Sequence, residues 1–497
     1  MKKLYMFVLI AGLMLSCSGE LEDMNVNVKN PSSVSGESLF TAAQKNLIDQ
    51  MSETNVNRNI FRLFAQQWAQ TTYTDESNYD VINRNIPEQH WSELYRFTLK
   101  NLEQSTIAIT ESNDIESVKN NKLQMIEILN VYTYSILVET FGNIPYSEAL
   151  KIDILAPKYD DEETVYMDLL NRLDAAVSKL DEGASSFGHT DILYHGDVMA
   201  WKKFAHSLKL RMGMLLADVN SAKAKSVVES AVSAGVFTGN ADNAALAYDR
   251  AAPNTNPVYV ALVTSGRSDY IPASTIIDIM QPRTYDAEGK VVAGSVKYTD
   301  PRAKAYFASN IDADASVPET VYFGGIYGAN NTFANYTHIG ARMHEPTNPG
   351  VILDYAEVEF LLAEAVERGY SVGGSAESHY NKAVTASVEF WGGTADEAEA
   401  YLAIPEIAYS TAEGGYKQKI GVQKWIALYN RGYTAWREWR RLDFPKLEAP
   451  EGAMVNSVPV RYTYPIAEQT LNPAGWGAVK DNYGGDVLTA KLFWDVN

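Results

Sequence analysis

Trp201-Lys202-Lys203-Phe204-Ala205-His206-Ser207-Leu208-Lys209-Leu210-Arg211, continued by Met212, Leu215 and Leu216, is the stretch from which the architecture is read. Its apolar residues recur three and four positions apart, so they fall in one stripe along an α-helix. Asp197 stands where an N-cap belongs. The same period returns upstream in Val165, Leu169, Leu173, Ala176, Val177 and Leu180, behind the acidic run Asp160 to Glu163 that suits a helix N-terminus. Leu123 to Thr140 is apolar on most faces and predicts a buried helix, stopped by Gly142 and Pro145.

Working outward, the helical pattern covers Gly36 to about Ala234. Between about Phe237 and Gly350 it fades, Gly, Pro, Asn and Tyr become frequent, and only Ser274 to Met280 looks helical. Helices resume at Leu353 to Arg368, Ala376 to Phe390 and Gln418 to Asn430, with Gly369 as a C′ stop, and the tail from Pro450 is turn-rich. Ala363, Ala365, Ala376, Tyr380 and Ala383 loosely follow the small and aromatic pattern of tetratricopeptide helix pairs, without a regular period near 34 residues along the chain. Trp68, Trp201, Trp425, Trp436 and Trp439 lie in helical pattern and are expected in the core.

The 497 residues carry 42 basic and 62 acidic side chains, a net charge of −20, with no compensating basic tract. Such a chain repels phosphate backbones, so no nucleic acid partner is expected. Cysteine usage is informative by position: the single Cys17 follows Lys2-Lys3, an apolar run from Leu4 to Leu15, and Ser16. This reads as a signal peptide over residues 1–16 with a lipoprotein-type cleavage site, so that Cys17 carries lipid and no later segment spans a bilayer. Residues 17–35 read as a lipidated flexible tether, beginning with the acidic Ser18-Gly19-Glu20-Leu21-Glu22-Asp23. Residues 36–497 read as one unit, with a helical scaffold at about 36–235 and 352–445 and a loop-rich lobe at about 236–351 and 446–497.

Several of these stretches coincide with one family. Glu139-Thr140-Phe141-Gly142-Asn143-Ile144-Pro145-Tyr146, the Trp201 to Arg211 helix, Leu353 to Ala365, Gly421 to Asn430 and Trp436 to Pro445 resemble, in the same order, segments of the SusD/RagB outer-membrane nutrient-binding lipoproteins of Bacteroidetes. Gln66-Gln67-Trp68-Ala69-Gln70 and Tyr73 to Tyr79 are similar to its SusD-like branch. Asn143 and His206 replace an expected Asp and Asn. The resemblance implies a mostly α fold, with tetratricopeptide-like helix pairs, an irregular lobe and little β structure. It also implies a lipoprotein of the outer membrane that captures oligosaccharides and passes them to a TonB-dependent transporter. The acidic cluster after Cys17 is similar to the surface-export signal of such lipoproteins, which implies the outer face; as a solvated linker it carries no address.

Chemistry-bearing constellations are weak. The seven histidines form no His-Glu-x-x-His, and Gly266-Arg267-Ser268-Asp269-Tyr270 lacks the second glycine of a serine nucleophile turn, leaving a turn with Arg267 and Asp269 in structural hydrogen bonds. Glu357, Glu359, Glu364 and Glu367 offer paired carboxylates for glycoside hydrolysis, but carboxylates on a packed helix more commonly cap, pair with Arg or face water. Asp312-x-Asp314 begins like a calcium loop without its glycine or distal Glu. No cofactor, metal or catalytic residue is assigned.

Sugar binding needs aromatic faces and hydroxyl-bonding side chains in a concavity. Tyr73, Asp75, Asn78 and Tyr79 supply one such cluster, and Tyr327, Asn330, Asn331, Phe333 and Tyr336 a second. The alternative for each is that the rings pack a loop onto the scaffold. The expected function is capture of oligosaccharide; binding of peptide or protein, and a surface glycoside hydrolase, are the alternatives.

Overall fold

The computed structural model describes residues 34–287, 291–292, 294–309 and 321–496. The leader, Cys17, the acidic cluster, all but the end of the tether, and Asp312 to Asp314 lie outside them.

The scaffold is a succession of helix pairs. α1 (Gly36–Ser52) begins where the Ser35 hydroxyl accepts from the Ser38 N–H at 3.2 Å, and it packs on α2 (Lys100–Thr110). α3 (Glu116–Phe141) is buried around most of its second half, as its apolar circumference requires, and packs on α4 (Glu162–Lys179). α5 (Val198–Leu215) starts at Asp197, whose carboxylate accepts from the Ala200 N–H at 3.0 Å, and it pairs with α6 (Ser221–Ala234). Its stripe of Trp201, Phe204, Ala205, Leu208, Met212 and Leu216 is fully buried. α7 (Tyr355–Glu367) and α8 (Ala376–Phe390) form a further pair, extended by α9 (Ala395–Leu402). Ala363, Tyr380 and Ala383 meet in its core, the small side chains letting the two backbones approach. α10 (Tyr416–Ala427) and α11 (Gly432–Leu442) close the scaffold.

Among the described residues the strands are short and pair antiparallel: β1 (Trp68–Gln70) with β5 (Tyr270–Pro272), β2 (Ile144–Pro145) with β3 (Tyr159–Asp160), and β4 (Ala244–Leu246) with β6 (Gly350–Leu353). The fold is mostly helical with little β structure, as the sequence suggests. Within the upstream half, besides the β2–β3 ladder, Trp68 lies in a strand, in register with Pro272. Three residues are too few to show a period of two, so the helical expectation there fails. The middle segment also holds more helix than Ser274–Met280 alone, with turns at Pro257–Tyr259 and Ala303–Tyr306 and a π-helical stretch at Val260–Thr264.

Trp68, Trp201, Trp425 and Trp436 are buried and Trp439 is half-buried. Among the described residues no helix is long and apolar enough to cross a membrane.

Candidate functional site

The β1–β5 ladder pairs Gln70 with Tyr270 and thereby joins two loops that are distant in sequence. Beyond the ladder, the Thr71 N–H donates to Asp269 O at 2.9 Å and the Thr71 hydroxyl to Ser268 O at 2.7 Å. Gln70, itself buried, organises the loop that follows: its amide donates to Glu76 Oε2 at 2.7 Å, and its Oε1 accepts from the Ser77 N–H and hydroxyl. A third segment docks onto the same place, because the Asn331 side chain donates to Gln70 O at 2.9 Å and its N–H donates to Thr71 O at 2.9 Å.

The two aromatic and amide clusters read from the sequence are therefore neighbours, but they divide into an inner and an outer half. Tyr79 and Tyr327 are buried, with ring centroids 6.4 Å apart, and the Tyr327 hydroxyl donates to Leu63 O at 2.7 Å. Burial pushes the Tyr79 phenol up to about 12. Asn78 donates to Thr74 O and Gly328 O, both at 2.8 Å, and Asn331 donates to the carbonyls of Gln70, Ile326 and Ala329. These four side chains fasten the loops to each other, as the packing alternative expects. Gly328 completes the joint: at φ 78° it turns the chain where a Cβ would lie 2.3 Å from Pro450.

The outer half is Tyr73, Asp75, Asn330 and Phe333. Tyr73 is 66% exposed and holds a left-handed backbone, φ 54°, a conformation uncommon for a bulky residue. Asp75 and Asn330 are exposed. Phe333 is half-buried and stacks on His338 with ring centroids 3.8 Å apart. Tyr336, half-buried, packs with Phe333 against Ala69, Ile271 and Ala273.

Three concavities meet at the Arg267 to Tyr270 turn. A cavity of about 580 Å³ lies between Tyr73 and the loop after α1, lined also by Asn55, Asn57, Arg58, Thr72 and Ser265. One of about 470 Å³ has Thr72, Asp269, Asn330 and Phe333 in its wall. One of about 340 Å³ lies between Arg267, Phe333, His338 and Leu262. Arg267 donates to Asp269 at 2.5 Å, the structural hydrogen bond expected of that turn. Burial pushes the Glu53 carboxyl in the wall of the 580 Å³ cavity up to about 7, against the opposing pull of Arg58. The polar side chains offer donors and acceptors to hydroxyls, and the Tyr73 ring supplies an apolar plane at the rim.

The sequence pointed to Tyr73, Asn330 and Phe333 but did not bring Asn55, Asn57, Arg58, Arg267 and Asp269 to the same cavity walls. The available signal was the polar break Asn55-Val56-Asn57-Arg58 after an amphipathic helix, the same kind of break that marked Tyr73. Glu357 and Glu364 lie elsewhere, buried in ion pairs with arginines, and neither lines these cavities. Among the described residues no group of three His, Cys, Asp or Glu is placed to hold a metal.

A family profile described as starch-binding, associating with the outer membrane, and labelled SusD-like, matches residues 28–465. Among solved structures, a chitin-binding protein is 25% identical with a TM-score of 0.77, covering 93% of this chain and 100% of its own. A chitin-binding SusD homologue from Flavobacterium johnsoniae is 25% identical with a TM-score of 0.73, covering 93% and 98%. A SusD homologue from Bacteroides uniformis is 26% identical with a TM-score of 0.73, covering 93% and 99%. No functionally curated protein matches the chain.

Proposed function

The chain belongs to the SusD-like family of starch-binding proteins that associate with the outer membrane, and from that membership we propose that it is a non-enzymatic, glycan-binding lipoprotein that captures oligosaccharide at the cell exterior. The observation that carries this reading is Tyr73, an exposed ring on a strained backbone at the rim of a 580 Å³ cavity whose walls carry Asn, Thr, Ser and Arg side chains. The binding of chitin by similar structures supports it. Asp75, Asn330, Phe333 and Tyr336 are proposed to extend the surface past the Asp269 turn.

Captured sugar is delivered, in this proposal, to a TonB-dependent outer-membrane transporter, with Cys17 lipid holding the protein beside it. The expected result of Cys17→Ala is release of the protein from the membrane fraction; unchanged sedimentation with membranes would remove the anchor from the proposal. The binding role is tested by calorimetric titration with starch and chitin oligomers, alongside an assay for new reducing ends. Saturable heat without product is expected. Product formation would replace capture by hydrolysis, and heat obtained with peptides alone would make the ligand a peptide.

A further inference from the structure

The charged side chains that line the 580 Å³ cavity bear on what kind of glycan it takes. Lys45 pairs with Asp49 one turn along α1. Arg58 lies between Glu53 at 3.8 Å and Glu93 at 3.1 Å. Arg84 pairs with the fully buried Glu76, and Arg267 with Asp269. Among the described residues the lining thus holds four cations and four acidic side chains, each cation facing an acid, with Glu93 the nearer of the two acids beside Arg58. The adjoining 470 Å³ cavity adds no cation, its one charged residue being Asp269 again.

We infer that the ligand of this site is an electrically neutral oligosaccharide, discriminated from uronate- or sulfate-bearing glycans by the pairing of every lining cation with a carboxylate of the protein. This rests on the glycan-binding reading above. Recognition of an anionic sugar relies on guanidinium or ammonium groups whose charge is not already balanced, often with both arms of an Arg fork on the anion. Here an anionic ligand meets a carboxylate beside each cation, on a protein whose net charge is −20. A neutral hydroxyl has the opposite experience. It donates and accepts at once, and an Arg–carboxylate pair presents a donor and an acceptor side by side. The ion pairs are therefore suited to hydroxyls without offering net charge.

The test uses the full chain in detergent, titrated with neutral chitin and starch oligomers, with oligogalacturonate of matched length, and with a sulfated oligosaccharide. The expected result is binding of a neutral oligomer that does not change between low and high salt, with the anionic ones at least roughly tenfold weaker. In Asp269→Asn, Arg267 loses its counter-charge, and affinity for oligogalacturonate should rise roughly tenfold and fall again with salt. Equal or better binding of the anionic oligomers by the unaltered protein would overturn the inference while leaving glycan capture standing. Absence of binding by every oligosaccharide would overturn capture itself and the inference with it. A folded Asp269→Asn variant with no gain toward oligogalacturonate would overturn ion pairing as the source of selectivity. The salt series on the unaltered protein stands independently of that variant.

Discussion

Replacing Glu357 by alanine is expected to destabilise the protein by about 3–5 kcal/mol, the usual consequence of removing one partner from a buried ionic cluster. Glu357, only 1% exposed, accepts from Arg211 Nε and Nη2 at 2.8 Å, from Arg437 Nη2 at 3.0 Å and from Arg431. These guanidiniums come from α5, from α11 and from the residue preceding α11, so one carboxylate joins three parts of the scaffold to α7. Arginine does not shed its proton to escape the loss, so the variant takes from buried Arg211 its carboxylate partner, while Arg431 keeps Asp354 at 2.9 Å. Arg437 retains Glu438 at 2.6 Å, but Glu438 is already shared with Lys424 and Arg441. Thermal and urea unfolding check this; a midpoint equal to that of the unaltered protein would show that the cluster is not a joint.

The same carboxylate predicts an acid dependence. Burial alone would raise its pKa, but the facing Arg211, Arg431 and Arg437 outweigh it and hold Glu357 well below its ordinary 4.5. The folded state therefore binds the proton more weakly than the unfolded chain does. The stabilisation is fully present above the ordinary carboxylate range and is lost as pH falls below about 4.5 toward the depressed value. Glu357→Gln should be less stable at neutral pH, and its stability should fall less steeply with acid than that of the unaltered protein.

Tyr73→Ala is expected to weaken glycan binding by about 1–3 kcal/mol, roughly fivefold to 150-fold in Kd, because the ring face is the largest exposed apolar surface at the rim. Since the side chain is 66% exposed, its loss removes little packing. Tyr73→Gly sharpens the test. Glycine accepts φ 54° without a Cβ clash, so stability should hold or rise by up to about 1 kcal/mol while binding falls just as far. Tyr79 serves as the contrast: buried beside Tyr327, its removal should unfold the joint between the loops before it says anything of ligand. Undiminished affinity in both Tyr73 variants would take this residue out of the site.

The scaffold was legible because its signals are local. The stripe from Trp201 to Leu216 and the caps at Asp197 and Gly369 depend on spacings within one or two turns, and each appears where the spacing places it. The β1–β5 ladder was not legible, since its three residues carry no period and the partner strand lies about two hundred positions away in the chain. The clusters around Tyr73 and Tyr327 were half legible. Tyr and Asn near a glycine suit a solvent-facing loop and a packed loop equally, and composition does not separate the two.

What the sequence by itself determined is the mostly helical scaffold, the places where it breaks, and the residue types available at those breaks. Tertiary structure alone decided that Tyr73 faces outward while Tyr79, six residues on, is sealed against Tyr327, and that Asn331 spends its amide on three backbone carbonyls. It also decided that each lining cation of the cavity meets a carboxylate. The physical reason is one of range: a helix is written in contacts three and four residues apart, whereas exposure and charge pairing in a loop follow from whatever distant segment is folded against it.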